Sequence, residues 1–143
     1  MNAHDLSRFV DAQQGIYETA LSEIRRGQKL SHWMWFVFPQ YAGLGTSPTS
    51  QRYAIKSVAE AEAYLNHPVL GRRLVECAEA LLRIEARSAR QIFGDPDDMK
   101  LKSSATLFAQ VSPAGSVFER VLDKYFRGER DARTLQLIGS AVG

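Results

Sequence analysis

The spacing of apolar residues constrains this chain most, because it follows the period of an α-helix through most of the sequence. After Pro68, for example, Leu74, Cys77, Ala78 and Leu81 recur at helical spacing. Such residues share one face of a helix that has about 3.6 residues per turn. No segment shows the sustained alternation of apolar and polar residues that a half-buried strand needs. The pattern therefore predicts an all-α protein.

Start and stop signals divide this pattern into helices. Residues 5–26 form one apolar stripe that ends at Gly27, a common stop, and we predict that they form the first helix. Ser31 is expected to cap a short helical turn through the following aromatic residues, and Pro39 is expected to end that turn. Residues 39–52 are then predicted to be a loop.

Later signals predict further short helices. Ser57 and Glu60 have the form of a capping box, and residues 89–93 form a short helical piece that stops at Gly94. Asp95 stands before a proline, which predicts an N-cap followed by a first-turn proline. Asp131 is expected to cap the last helix. In all, we expect a compact single domain of about six to eight short helices.

Length and composition agree with a soluble globular domain. The 143 residues fit one domain, 1–143, which can bury roughly 68% of its unfolded surface. The apolar stretch Trp33 to Phe38 is too short to span a bilayer, and the polar N-terminus does not resemble a signal peptide. The single cysteine, Cys77, excludes an internal disulfide and a cysteine-cluster metal site. We therefore expect a cytoplasmic protein that does not contact membranes.

Charge and motifs narrow the classes of partner. The net charge is only +2 and the basic residues are dispersed along the chain, which argues against nucleic acid as a partner. Asp95, Asp97 and Asp98 lack the spacing of a calcium loop, and no dinucleotide or Walker A motif is present. No metal site and no cofactor are expected.

An aromatic run at residues 31–40 is the densest group of unusual side chains. It holds both tryptophans, and buried aromatic side chains contribute about 1.5–3 kcal/mol each, so the run should be anchored in the core. Trp33, Trp35 and Phe38 can also form a stacking wall for a flat ligand, but at least one of the three rings should face the core. Lys29 and His32 can supply an anion contact and a general base, or they are structural.

Two polar segments complete the candidate site. The loop from Gly43 to Ser47 can present backbone N–H groups to an anion, or it is a simple turn. Lys102, Ser103 and Thr106 share a helix face and can grip a phosphate or carboxylate. The alternative is a solvated face whose hydroxyls bond back to carbonyls of their own helix.

Several motifs carry a resemblance to a known family. They are Lys29, Ser31-His32-Trp33-Met34-Trp35, Phe38-Pro39-Gln40, Gly43-Leu44-Gly45, His67-Pro68-Val69-Leu70-Gly71 and Thr106-Leu107-Phe108. With them the chain resembles, over residues 6–138, the bacterial family of unknown function DUF1810, whose members are sometimes labelled calpastatin. The resemblance implies an all-helical single-domain fold found in bacteria, including mycobacteria, with no established activity.

Two functional hypotheses follow. The first is a site that binds or processes a small anionic, nucleotide-like ligand where the aromatic run and the glycine loop meet the Lys100–Phe108 helix. Its catalytic residue is unknown, with His32 as the best candidate, and whether the protein is an enzyme stays open. The ligand-binding candidates are Lys29, His32, Trp33, Gln40, Gly43, Gly45, Ser47, Lys102, Ser103 and Thr106. The second hypothesis is a non-catalytic module that binds an unknown protein partner. A cleft lined by these polar groups favours the first, and their dispersal over the surface favours the second.

Overall fold

A computed structural model describes the backbone of residues 5–142 and the side chains of residues 5–139. The prediction of an all-α fold is confirmed: within this range the only β-type pairing is a single bridge between Tyr41 and Ile55. The helix count was wrong, since residues 5–142 hold ten helices instead of six to eight. They are α1 Ser7–Gln13, α2 Tyr17–Arg25, α3 Met34–Val37, α4 Pro48–Arg52, α5 Val58–Asn66, α6 Leu70–Leu82, α7 Ala89–Phe93, α8 Asp97–Gln110, α9 Val117–Phe126 and α10 Ala132–Val142.

Two breaks in the predicted pattern account for extra helices. The predicted first helix is divided into α1 and α2, because Gly15 adopts a φ of +76° and leaves the helical conformation. The predicted loop at 39–52 contains α4. Ser47 caps this helix by accepting a hydrogen bond from the Ser50 backbone N–H at 3.1 Å, and Pro48 occupies its first turn.

Capping predictions had mixed outcomes. Ser57 caps α5 as expected, but the Glu60 carboxylate accepts from the Lys56 N–H and so does not complete a capping box. Asp131 accepts from the Thr134 N–H at 2.9 Å, which confirms its capping role. Asp95 does not cap α8, whose N-cap position is held by the following proline.

Helix α8 forms the centre of the molecule. All residues from 101 to 109 are buried, and α5, α7, α9 and α10 pack against this helix. Aromatic rings continue through the core beside it: Phe9 lies 5.1 Å from Tyr64, Tyr64 lies 5.5 Å from Phe108, and Phe108 lies 5.7 Å from Phe118. The core therefore runs from α1 through α5 and α8 to α9.

Helix α6 places its apolar stripe against this core. Cys77 is fully buried there, which confirms the prediction from the stripe, and burial raises the pKa of its thiol to about 12. None of the helices within residues 5–142 is long and apolar enough to span a membrane.

Candidate functional site

A buried carboxylate holds the start of the aromatic run. Glu23, at the end of α2, accepts hydrogen bonds from the backbone N–H groups of Leu30 and Ser31 at 2.8 and 2.9 Å. It also accepts from the Ser31 hydroxyl at 2.5 Å and from the Trp33 indole N–H at 2.9 Å. Burial alone would raise the pKa of Glu23, but these four donors outweigh it and lower the pKa from 4.5 to about 2. Ser31 therefore serves this anchor and does not cap α3, whose N-cap position is Trp33.

The two tryptophans take opposite roles. Trp33 is fully buried, and its ring meets Phe93 edge-on at 6.3 Å, so it belongs to the core. Trp35, two residues later, is half-buried and lines two adjoining clefts. A helical turn cannot direct residues i and i+2 to the same face, which is why only one ring reaches a ligand-accessible surface.

The two clefts meet at four residues. The smaller encloses about 220 Å³ and the larger about 420 Å³. Both are lined by Trp35, Gln40, Gly45 and Ser50. The smaller continues along Tyr41, Ala42, Gly43, Gln51, Tyr53, Ala54 and Lys56. The larger continues along Leu44, Thr46, Ser47, Pro96, Met99, Lys100 and Ser103.

A shared carboxylate positions the cation at the larger cleft. Asp97 lies 2.8 Å from the Lys29 ammonium and 3.0 Å from the Lys100 ammonium. Burial raises the pKa of Asp97, and hydrogen bonds from both lysines outweigh it, so the pKa lies below 3.8. The Lys100 ammonium also lies 4.0 Å from the centre of a Trp35 ring, within the range of a cation–π contact. Two cations on one carboxylate leave one positive charge in excess beside the cleft.

Backbone contacts fix the opposite wall. The Gln40 carbonyl accepts from the Ile55 N–H, and the Ala42 N–H donates to the Ile55 carbonyl, both at 2.8 Å. The main chain of Gln40 is thus fixed by the fold at a position where this residue lines both clefts. A Cβ atom at Gly45 would stand 2.5 Å from the Ser50 hydroxyl oxygen, so the loop needs glycine to pack against α4.

Several predicted site residues come together at these clefts. Gln40, Gly45, Ser47 and Ser103 line the larger cleft, and Gly43 lines the smaller one. The aromatic run and the glycine loop therefore do meet α8, the arrangement on which the sequence hypothesis depended. Of the three residues predicted to bind an anion on α8, Lys102, Ser103 and Thr106, only Ser103 lines the larger cleft.

The other predicted residues lie elsewhere. Lys102 forms an ion pair with Glu129 at 2.5 Å. The Thr106 hydroxyl donates to the Lys102 carbonyl at 2.8 Å and accepts from the Asp131 N–H at 2.9 Å, so it holds the start of α10. This face of α8 is buried, so the alternative prediction of a solvated face was wrong. The hydroxyls of Ser103 and Thr106 do donate to carbonyls of their own helix, as that alternative expected.

The remaining candidates are also outside the cleft walls. His32 is exposed and does not line either cleft, and Trp33 is bound to the Glu23 anchor. Lys29 acts through Asp97 and is mostly buried behind it. Sequence reasoning missed Lys100, although the spacing of Asp97 and Lys100 by three residues on a helix is a legible ion-pair signal.

The described side chains contain no group of three or more histidine, cysteine, aspartate or glutamate residues able to hold a metal ion. The walls of the two clefts instead offer aromatic rings, hydroxyls, an amide and the ammonium groups of Lys56 and Lys100. Such groups bind planar and anionic molecules.

Comparisons with known proteins show the family to which this helical chain belongs. Comparison with curated proteins finds no match. The fold matches the crystal structure of the conserved hypothetical protein Rv1873 from Mycobacterium tuberculosis, at 49% sequence identity and a TM-score of 0.94, over 96% of this chain and 99% of that chain. The sequence profile of the family described as "Protein of unknown function (DUF1810)" matches residues 3–138. The chain therefore belongs to the DUF1810 family.

Proposed function

We propose that the protein binds a small anionic ligand with a planar group, such as a nucleotide-like molecule, where the two clefts meet at Trp35. The observation that carries this proposal is the half-buried Trp35 ring with the Lys100 ammonium 4.0 Å from its centre, at the junction of two concave surfaces. An aromatic face accepts a flat ring, and an ammonium group attracts phosphate or carboxylate.

The charge balance supports an anionic ligand. Asp97 is shared between Lys29 and Lys100, so the cluster carries a net positive charge before any ligand arrives. Lys56 adds a second, exposed cation on the smaller cleft. A ligand with its ring beside Trp35 can therefore meet a cation from either cleft.

Hydrogen-bonding groups support a ligand with polar atoms around its ring. Gln40 lines both clefts, and its side-chain amide carries both a donor and an acceptor. Ser47 and Ser103 also line the larger cleft, where their hydroxyl oxygens can accept a further hydrogen bond although their protons are donated to Ser50 and to the Met99 carbonyl. A few convergent polar groups on a largely apolar concave surface are the usual composition of small-molecule sites.

A ligand screen with a local readout tests the proposal. AMP, ADP-ribose and nicotinate would be titrated while thermal stability and tryptophan fluorescence are followed. We expect at least one to raise the melting temperature, since a ligand at about 100 times its dissociation constant adds about 2.7 kcal/mol to stability. The same ligand should change the fluorescence of a Trp33→Phe variant, in which Trp35 is the only tryptophan.

Matched variants locate the binding. Lys100→Gln removes the cation, and Trp35→Leu removes the aromatic ring that would stack on the ligand. The control Arg133→Gln removes a cation that is exposed on α10 and lies outside both clefts. We expect the first two to abolish the thermal shift and the third to leave it unchanged. Equal responses from all three variants would place any binding elsewhere.

A protein partner is the second candidate function. Leu30 is 63% exposed and Met99 is 46% exposed, and each lies within two residues of the Lys29 and Asp97 pair. Contiguous exposed apolar surface marks contacts with other macromolecules, and these two side chains would contribute to such a contact. Capture of one specific protein that is lost on Leu30→Ser, together with no stabilisation by any of the three small anions, would establish this alternative.

A further inference from the structure

A separate cleft lies where the C-terminal ends of α2 and α6 meet. It encloses about 580 Å³, and four arginines line it: Arg25, Arg26, Arg83 and Arg87. Glu85 is the only acidic residue among the lining residues. Four positive charges against one negative leave a formal charge of +3 here, larger than the +2 of the whole chain. We refer to this surface as the arginine cleft.

The fold gathers these arginines from two distant segments. Arg25 ends α2 and Arg26 is its C-cap, while Arg83 is the C-cap of α6. Arg87 lies in the loop that follows α6. Basic residues that are dispersed along the sequence are therefore concentrated in space, which the spacing of charges along the chain could not indicate.

Stabilisation of the two helix ends does not account for the cluster. Cations near a helix C-terminus satisfy its free carbonyls, but other contacts already do so here. The Lys124 ammonium donates to the Leu82 carbonyl at the end of α6. The backbone N–H groups of Arg26, Gly27 and Gln28 donate to carbonyls in the last turns of α2. The five ion pairs among residues 5–139 include none of the four arginines of the cleft. All four guanidinium groups thus have no carboxylate partner in the described part of the chain.

The loop that carries Arg87 is strained. Ala86 adopts a φ of +59°, a left-handed conformation that costs a residue with a Cβ atom free energy. Arg87 then passes directly over the turn at Gly27, where a Cβ atom would meet the Arg87 Cδ atom at 3.2 Å. The chain thus keeps an unfavourable conformation next to the residue that brings the fourth guanidinium to the cleft.

From this geometry we infer that the arginine cleft binds a ligand carrying two or more linked phosphate groups. Guanidinium groups are planar and form paired hydrogen bonds with phosphate oxygens, and they stay charged at all physiological pH values. Four of them without a carboxylate partner can neutralise more than one phosphate, and the cleft volume exceeds what a single phosphate fills. A small polyphosphate and a nucleic-acid backbone share this chemistry.

Titration with inorganic tripolyphosphate tests the site by calorimetry. The wild-type protein should bind it, and the double variant Arg25→Gln/Arg83→Gln should bind at least about tenfold more weakly, because each change removes a charge-assisted contact. Arg133→Gln serves as a matched control, since Arg133 is exposed on α10 and does not line the arginine cleft. Absence of binding by the wild type, or an equal loss in the control, would overturn the proposal.

Folding of the variants is checked by their thermal unfolding midpoints. Both substituted arginines are exposed, so the double variant should unfold close to the wild-type temperature. If the double variant unfolds at a much lower temperature, the single variant Arg26→Gln is titrated instead, and it should also bind tripolyphosphate more weakly than the wild type. Lys100→Gln should leave tripolyphosphate binding unchanged, which keeps this site distinguishable from the one at Trp35.

Two further ligands separate the sources of phosphate. ADP and a single-stranded oligothymidylate of twelve nucleotides would be titrated at low and at physiological salt. Tighter binding of the oligonucleotide, with an affinity that falls steeply as salt rises, identifies a nucleic-acid backbone as the source. Binding of ADP and tripolyphosphate alone, when it is kept by Lys100→Gln and lost by Arg25→Gln/Arg83→Gln, identifies a small ligand at the arginine cleft. Binding of an oligoglutamate peptide without binding of tripolyphosphate contradicts the inference.

Discussion

Trp33 and Trp35 stand two residues apart, yet they belong to regions that use the same kinds of side chain in opposite ways. Around Trp33, polar groups hold the fold together: the Glu23 carboxylate accepts from four donors, including the indole itself. Around Trp35, Gln40 and Lys100 line open clefts, and the Lys100 ammonium shares its carboxylate partner with Lys29. Aromatic and polar residues in one run can therefore supply both the anchor of a loop and the walls of a site.

This difference matters because stability and binding make opposite demands on polar groups. A buried carboxylate is tolerated only when donors satisfy it, and the Glu23 anchor meets that condition with short contacts. A binding site instead needs polar groups that still have capacity for a ligand. The anchor fixes the start of the run, so the Trp35 side chain two residues later is presented from a rigid base.

The prediction with the largest expected effect on stability compares the truncation of the two tryptophans. Trp33→Ala should lower the free energy of unfolding by about 3–5 kcal/mol, because it leaves a cavity and removes a donor from buried Glu23. Trp35→Ala should lower it by about 1 kcal/mol, since a half-buried ring and one cation–π contact are lost. Chemical unfolding of both variants measures the difference. Similar losses would show that Trp35 is as much a core residue as Trp33.

A second test uses the pKa of Glu23. Its pKa is about 2 in the folded protein and 4.5 as the reference value, so its contribution to stability is present above pH 4.5 and is lost as the pH falls towards 2. The difference corresponds to about 3 kcal/mol. Glu23→Gln should therefore be much less stable than the wild type at pH 7, and the gap should narrow in acid.

Unfolding curves at several pH values check this. Asp97→Asn is the control at the cleft, because the Asp97 pKa is also lowered but its carboxylate is partly exposed, so screening by solvent reduces its contribution. A gap between wild type and Glu23→Gln that stays constant from pH 7 to pH 2 would contradict the role of Glu23 as a charged anchor.

Local signals in the sequence predicted much of the fold. The stripe around Cys77, the short helix at 89–93 and the Asp131 cap each depend on residues within one or two turns, and all three are present. Gly15 shows where such signals fail: a glycine inside an apolar stripe is compatible with a continuous helix, and only packing of α1 and α2 on different neighbours decides that the chain turns there.

The candidate site was less predictable, because its charges are set by residues far apart in the sequence. Lys29 and Asp97 are 68 positions apart, and nothing near either residue indicates that they form a pair. The hydroxyl-rich face of α8 was also misleading. The Ser103 and Thr106 hydroxyls donate to backbone carbonyls one turn earlier in α8. Because these hydrogen bonds satisfy the hydroxyls, the polar residues can be buried within the fold.

The smallest expected effect on stability is that of removing the Lys100 ammonium group beside Trp35. Lys100→Gln should lower the free energy of unfolding by less than about 1 kcal/mol, because the pair is partly exposed and Asp97 keeps Lys29 at 2.8 Å as its partner. Removal of one of two neighbouring ammonium groups also relieves their mutual repulsion, which offsets part of the loss. Chemical unfolding at low and high salt measures both contributions. A loss comparable with that of Glu23→Gln would mean that Lys100 holds the fold together, and the Trp35 clefts would then lose the cation that distinguishes them from the anchor.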